Sequence, residues 1–61
     1  MPIVIVEGPV IDNIEIKRTL VKEITDALEK AYNLPRQTYT VVIKESKPEN
    51  VGVGGKLVSD S

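Results

Sequence analysis

Two continuous β-branched runs, Ile3-Val4-Ile5-Val6 and Tyr39-Thr40-Val41-Val42-Ile43, stand on either side of one long helical pattern, and that order constrains the fold more than any other feature. Runs without polar alternation read as strands that carry apolar residues on both faces. Two such strands joined by a single helix form a β-α-β unit, in which the strands are parallel and the crossover is right-handed. Gly8-Pro9 ends the first run.

The helix is bounded by its own chemistry. Asp12-Asn13 offers side chains for the N-cap, and from Ile14 to Tyr32 the apolar residues recur at helical spacing. Ile16, Leu20, Ile24, Ala27, Leu28 and Ala31 share one stripe, with Ile14 and Val21 at its edge. Glu15, Arg18, Lys22, Asp26, Glu29 and Lys30 make the opposite face, and Asp26 precedes Lys30 by four residues, the favourable order for an ion pair. Asn33 suits a left-handed cap and Pro35 prevents continuation. After the second run, Lys44-Glu45-Ser46-Lys47-Pro48-Glu49-Asn50 is a polar connection. Val51-Gly52-Val53-Gly54-Gly55, followed by Lys56-Leu57-Val58, then suggests a short hairpin or bulged ribbon. The expected fold class is α+β: residues 1–61 form a single domain, a β-α-β protomer with parallel strands and a short C-terminal hairpin.

Composition decides how so short a chain is stabilised. A domain of about 60 residues buries only about 60% of the surface its unfolded chain exposes. The 61 residues include no cysteine and no histidine. That removes disulfides, thiolate and imidazole metal sites, and every Ser-His or Cys-His catalytic scheme. Assembly with further copies remains, and it has a location: one helix covers one face of the two strands, so the other face should meet another copy. Eight basic and nine acidic residues, interspersed, give a net charge of −1, which disfavours a nucleic-acid or membrane-binding face. There is no apolar run near the ~18 residues of a membrane span and no signal-peptide layout at the start. A cytoplasmic protein with no nucleic-acid or membrane partner, no metal and no cofactor is expected.

With histidine and cysteine absent, acid–base chemistry falls to a carboxylate, a lysine, a tyrosine or the chain terminus. Pro2 supplies the last option. Once Met1 is removed, Pro2 bears a secondary amine, and an α-amino group has a reference pKa of about 7.7–8.0 that apolar surroundings or a nearby cation would lower. The bland alternative is that Pro2 simply opens a strand. Glu7 and Glu45 stand at strand ends, as carboxylate acids or bases or as solubilising charges. Tyr32 and Tyr39 read as packing residues with hydroxyls in water. The glycine segment lacks the Lys-Ser/Thr pair and the following helix of a phosphate loop.

Taken together, Met1-Pro2-Ile3-Val4, the β-α-β order, the helix segment from Lys17 to Ala27 and the ending Asn50-Val51-Gly52-Val53-Gly54-Gly55 resemble the 4-oxalocrotonate tautomerase family over essentially the entire chain. The resemblance implies dimers that share a four-stranded sheet, three of them forming a homohexamer. It also implies a tautomerase that acts on an enolic or 2-hydroxy-dienoate carbonyl compound, with the Pro2 amine as general base in a 1,3- or 1,5-proton transfer. The family places arginines after the first strand and early in the second. Here residues 8–12 contain no arginine, and the second position is Thr40. The family's pocket aromatic corresponds to Val51. By position, Thr40 and Val51 are candidate substrate-binding residues. Arg36, Arg18 and Lys44 are candidates to replace the missing cations, Arg36 foremost. Two alternatives stay open: a non-catalytic oligomeric assembly or binding protein of the same fold, and a Pro2 nucleophile that forms an iminium with a carbonyl substrate.

Overall fold

Asn13 starts the helix. In the computed structural model, which describes residues 1–60, its side-chain oxygen accepts the N–H groups of Glu15 at 2.8 Å and Ile16 at 3.3 Å, two of the donors that a helix start leaves unpaired. Helix α1 then runs Ile14–Tyr32 and closes on Asn33 in the left-handed conformation (φ 55°), whose N–H returns to the Glu29 carbonyl. The cap is Asn13 rather than Asp12; otherwise the helix has the expected bounds.

Strands β1 (Ile3–Gly8) and β2 (Thr40–Glu45) pair in parallel. Both run two residues beyond the apolar runs, through Glu7-Gly8 and Lys44-Glu45, because ladder bonds join backbones and tolerate polar side chains at the ends. β2 begins one residue later than expected, since Tyr39 closes the short 3-10 turn Arg36–Thr38. The Tyr39 hydroxyl is engaged rather than free in water: it accepts the Leu34 N–H at 2.9 Å and donates to the Leu34 carbonyl at 3.1 Å, tying off the loop after α1. The polar connection contains a further turn at Pro48–Asn50. The C-terminal hairpin pairs β3 (Gly52–Val53) with β4 (Lys56–Leu57) in antiparallel register. Its turn residues Gly54 and Gly55 have φ of 61° and 85°, the left-handed pair that a tight two-residue hairpin demands. Gly52 is not crowded: a Cβ there would sit 3.7 Å from the Lys56 carbonyl, an ordinary contact.

Side chains alternate along the strands. Val4, Val6, Val41 and Ile43 are half-buried, whereas Ile3 (60% exposed), Ile5 (52%) and Val42 (38%) lie open on the other face. The helix seats its Leu20, Val21, Ile24, Thr25 and Leu28 side and leaves Ile16, Ala27 and Ala31 exposed, so the buried stripe is rotated towards Val21 and Thr25 from the one the spacing suggests. Thr25, 8% exposed, is the only buried residue among those described, and its hydroxyl donates to the Val21 carbonyl at 2.8 Å. The chain exposes 4897 Å², against about 3,900 Å² for a compact protein of this mass. Its radius of gyration is 14.8 Å, where about 10–11 Å is usual for this length.

Candidate active site

The parallel register brings Pro2 and Thr40 together. The Thr40 N–H donates to the Pro2 carbonyl at 3.1 Å, extending the ladder one step beyond β1, and Ile3 stands directly opposite Thr40. On the open face the opposed pairs are Ile3 with Thr40, Ile5 with Val42, and Glu7 with Lys44. The half-buried Pro2 falls by alternation with Val4 and Val6 on the helix-covered face, next to the open-face pair Ile3 and Thr40, while Glu7 and Lys44 stand at the far end. With Met1 attached, the Pro2 nitrogen is a tertiary amide without an N–H or a basic lone pair.

Val51 lies at the other end of the sheet. It lines a cleft of about 350 Å³ with Gly8, Pro9, Ser46 and Pro48, while the Ser46 N–H donates to the Gly8 carbonyl at 2.9 Å. Six residues of strand separate this end from Pro2, about 20 Å at ~3.3 Å per residue. A single chain does not bring Val51 to Pro2.

Arg36 is turned onto the helix. Its guanidinium donates to Asp26 Oδ1 at 3.0 Å and to Glu29, and the Glu29 and Asp26 carboxylates hold it still more firmly in the charged form. Asp26 also accepts Lys22 Nζ at 3.0 Å; Lys22 and then Arg36 hold its carboxyl below the ordinary value. Asp26 thus pairs with the lysine preceding it and not with Lys30, because Arg36 takes its other oxygen. Arg18 pairs with Glu15 one turn earlier.

Neither strand-end carboxylate touches Pro2. Glu7 borders the Val51 cleft. Glu45 accepts the Ile11 N–H at 2.6 Å on one oxygen and Lys17 Nζ at 2.9 Å on the other, and these two contacts, the Ile11 N–H foremost, hold its carboxyl below the usual value. This clasp, which anchors the loop between β1 and α1 to the end of β2, joins residues 28 and 34 positions apart, and no local sequence signal announces it. Among the described residues, no three His, Cys, Asp or Glu side chains cluster as metal ligands, and no helix is long and apolar enough to cross a membrane.

A family model described as "Tautomerase enzyme" matches residues 2–61. A probable tautomerase of Staphylococcus aureus (strain Mu50) is 49% identical over 43 residues, covering 70% of each chain. The 2-hydroxymuconate tautomerase of Pseudomonas putida is 36% identical over 47 residues, 77% of this chain and 75% of that protein. The crystal structure of YwhB, a homologue of 4-oxalocrotonate tautomerase, superposes with a TM-score of 0.88 at 30% identity and covers 98% of both chains. With its β-α-β architecture and a family match that starts at Pro2, this chain belongs to the tautomerase enzyme family.

Proposed function

We propose that this protein is a homo-oligomeric tautomerase in which the Pro2 amine, freed by removal of Met1, is the general base. The nitrogen takes the proton from the hydroxyl of an enol or 2-hydroxy-dienoate; the O–H electrons form the new carbonyl, and the displaced double-bond pair takes the proton back from nitrogen at the 3- or 5-carbon. Nothing is consumed, so no cofactor is needed. The observation that carries the reading is Pro2 at the head of β1 in a tautomerase-family chain. The name of the P. putida relative, 2-hydroxymuconate tautomerase, supports a small 2-hydroxy-dienoate or enol as the substrate class.

The exposed surface supports a homo-oligomer. The chain exposes about 1,000 Å² more than a compact protein of its mass, about the area one partner gives to a standard interface. Ile3, Ile5 and Val42 on the sheet, with Ile16, Ala27 and Ala31 on the helix, are part of that exposed surface. A hexamer of three sheet-sharing dimers would cover it and carry Val51 of one copy towards Pro2 of another. The cysteine-free composition suits the reducing cytoplasm.

The test compares the trimmed wild type with Pro2→Ala on 2-hydroxymuconate and phenylenolpyruvate. A positioned base contributes typically 10²–10⁴-fold, and alanine keeps a primary amine, so a loss of about tenfold or more in kcat/KM is expected. Equal rates for the two proteins would refute the proposal and leave a non-catalytic assembly protein of the same fold.

A further inference from the structure

We infer that Thr40 is a positioning residue for the Pro2 base and acts through its backbone N–H rather than its hydroxyl. This rests on the tautomerase reading above and goes beyond it by assigning the group that aims the amine. Proline has no N–H of its own within a chain, so the carbonyl is the one main-chain group with which Pro2 joins the ladder. That carbonyl accepts the Thr40 N–H at 3.1 Å. It lies on the Ile3 side of the residue, so removal of Met1 leaves both bonding groups in place while making Pro2 a chain terminus. A terminal residue is poorly ordered unless something ties it down.

Two restraints together set the nitrogen. The bond to Thr40 fixes the peptide plane between Pro2 and Ile3. The half-buried ring, which falls by alternation with Val4 and Val6 on the helix-covered face, limits rotation about the single bond that remains, from Cα to the carbonyl carbon. The donor is itself held: the Tyr39 N–H donates to the Arg36 carbonyl at 3.3 Å, closing the turn Arg36–Thr38, and the Tyr39 hydroxyl bonds both main-chain groups of Leu34. Thr40 follows directly, so its N–H is presented from a closed turn. Its side chain, by contrast, stands on the open face opposite Ile3, across the sheet from the Pro2 ring. Aim matters because a general base must meet its proton at hydrogen-bond distance, and a displacement of about 1 Å can cost about 10²-fold.

The experiment uses the assembled, Met1-trimmed protein with phenylenolpyruvate and compares the wild type with Thr40→Pro and Thr40→Val. Thr40→Pro deletes the N–H where proline fits: Thr40 is the first residue of β2, and Tyr39 before it already has the extended φ of −92° and ψ of 135° that precede a proline. Thr40→Val keeps the N–H and the β-branched shape and lacks the hydroxyl. The expected kcat of Thr40→Pro is lower by about tenfold or more with KM within about threefold, whereas Thr40→Val recovers kcat to within about threefold of the wild type. The pH–rate profile of Thr40→Pro is expected to keep its apparent pKa and lose height, because a misplaced base transfers the proton more slowly without becoming a different base. Sedimentation and thermal melts establish that each variant is assembled and folded.

An assembled Thr40→Pro with kcat within about twofold of the wild type, a shifted apparent pKa, or a Thr40→Val as slow as Thr40→Pro would overturn the inference. If Thr40→Pro does not assemble, hydrogen exchange at the Thr40 N–H of the trimmed wild type decides: protection of about 100-fold or more over an unstructured amide supports the tether, and exchange at the unstructured rate overturns it. Pro2→Ala separates the two failures. Turnover that depends on Pro2 but survives Thr40→Pro contradicts only the positioning role, whereas turnover equal in wild type and Pro2→Ala contradicts the tautomerase reading itself.

Discussion

The backbone N–H of Thr40 donates to the carbonyl of Pro2 at 3.1 Å, so the residue proposed as base is held by the start of the second strand. The bond leaves the Pro2 nitrogen to the open end of the ladder. The same register sets Ile3 and Thr40 side by side on the uncovered face.

Breaking that surface should break the assembly. Ile5 is 52% exposed at the centre of the open face, opposite Val42, and Ile5→Lys places a charge where another copy should pack. Sedimentation of the wild type at micromolar concentration is expected to give an oligomer, and Ile5→Lys a smaller species that melts at lower temperature. A folded wild-type monomer would contradict the surface argument.

Asn13→Ala removes the acceptor for the Glu15 and Ile16 N–H groups. The expected loss is about 1 kcal/mol, read by denaturant titration with an unchanged m-value. Asp12→Ala, beside it, should cost much less, because Asp12 makes no cap bond to the helix start.

Acid should loosen the loop clasp. Glu45 has a carboxyl held below its ordinary value of 4.5 by the Ile11 N–H and Lys17. A depressed carboxyl contributes stability that is complete above its unfolded value and is lost as pH falls through the folded one. The contribution is therefore present at pH 5 and above and disappears progressively below 4.5. Thermal melts from pH 7 to pH 3 are expected to show Glu45→Gln destabilised at neutral pH and converging on the wild type as acid is added. A gap that stayed constant with pH would show that the carboxylate charge has no part in the clasp.

The β-α-β order and the bounds of the helix were legible because their causes are local: β-branched runs, a 3.6-residue period, Asn13 and Asn33 at the ends. The strand ends were less so, since Glu7, Gly8, Lys44 and Glu45 join the ladder through backbone groups common to all residues. Side-chain partners across the fold were not legible at all. Lys17 and Glu45 lie 28 positions apart, and Asp26 turned to Lys22 and Arg36 instead of Lys30 because tertiary placement of Arg36 outweighs a spacing rule worth a few tenths of a kcal/mol. Of the candidate site, Pro2 was visible from its position and its chemistry. That Thr40 adjoins it while Val51 lies about 20 Å away follows only from the register.

The central claim concerns the nitrogen of Pro2, which is a base only after Met1 is gone. Intact-mass measurement and initial rate, taken on the same samples across a series of Met1-trimmed fractions, test it most directly. The account predicts that kcat/KM rises in proportion to the trimmed fraction and vanishes for the chain that keeps Met1. A homogeneous Met1-bearing protein that turned over substrate as fast as the trimmed one would contradict it.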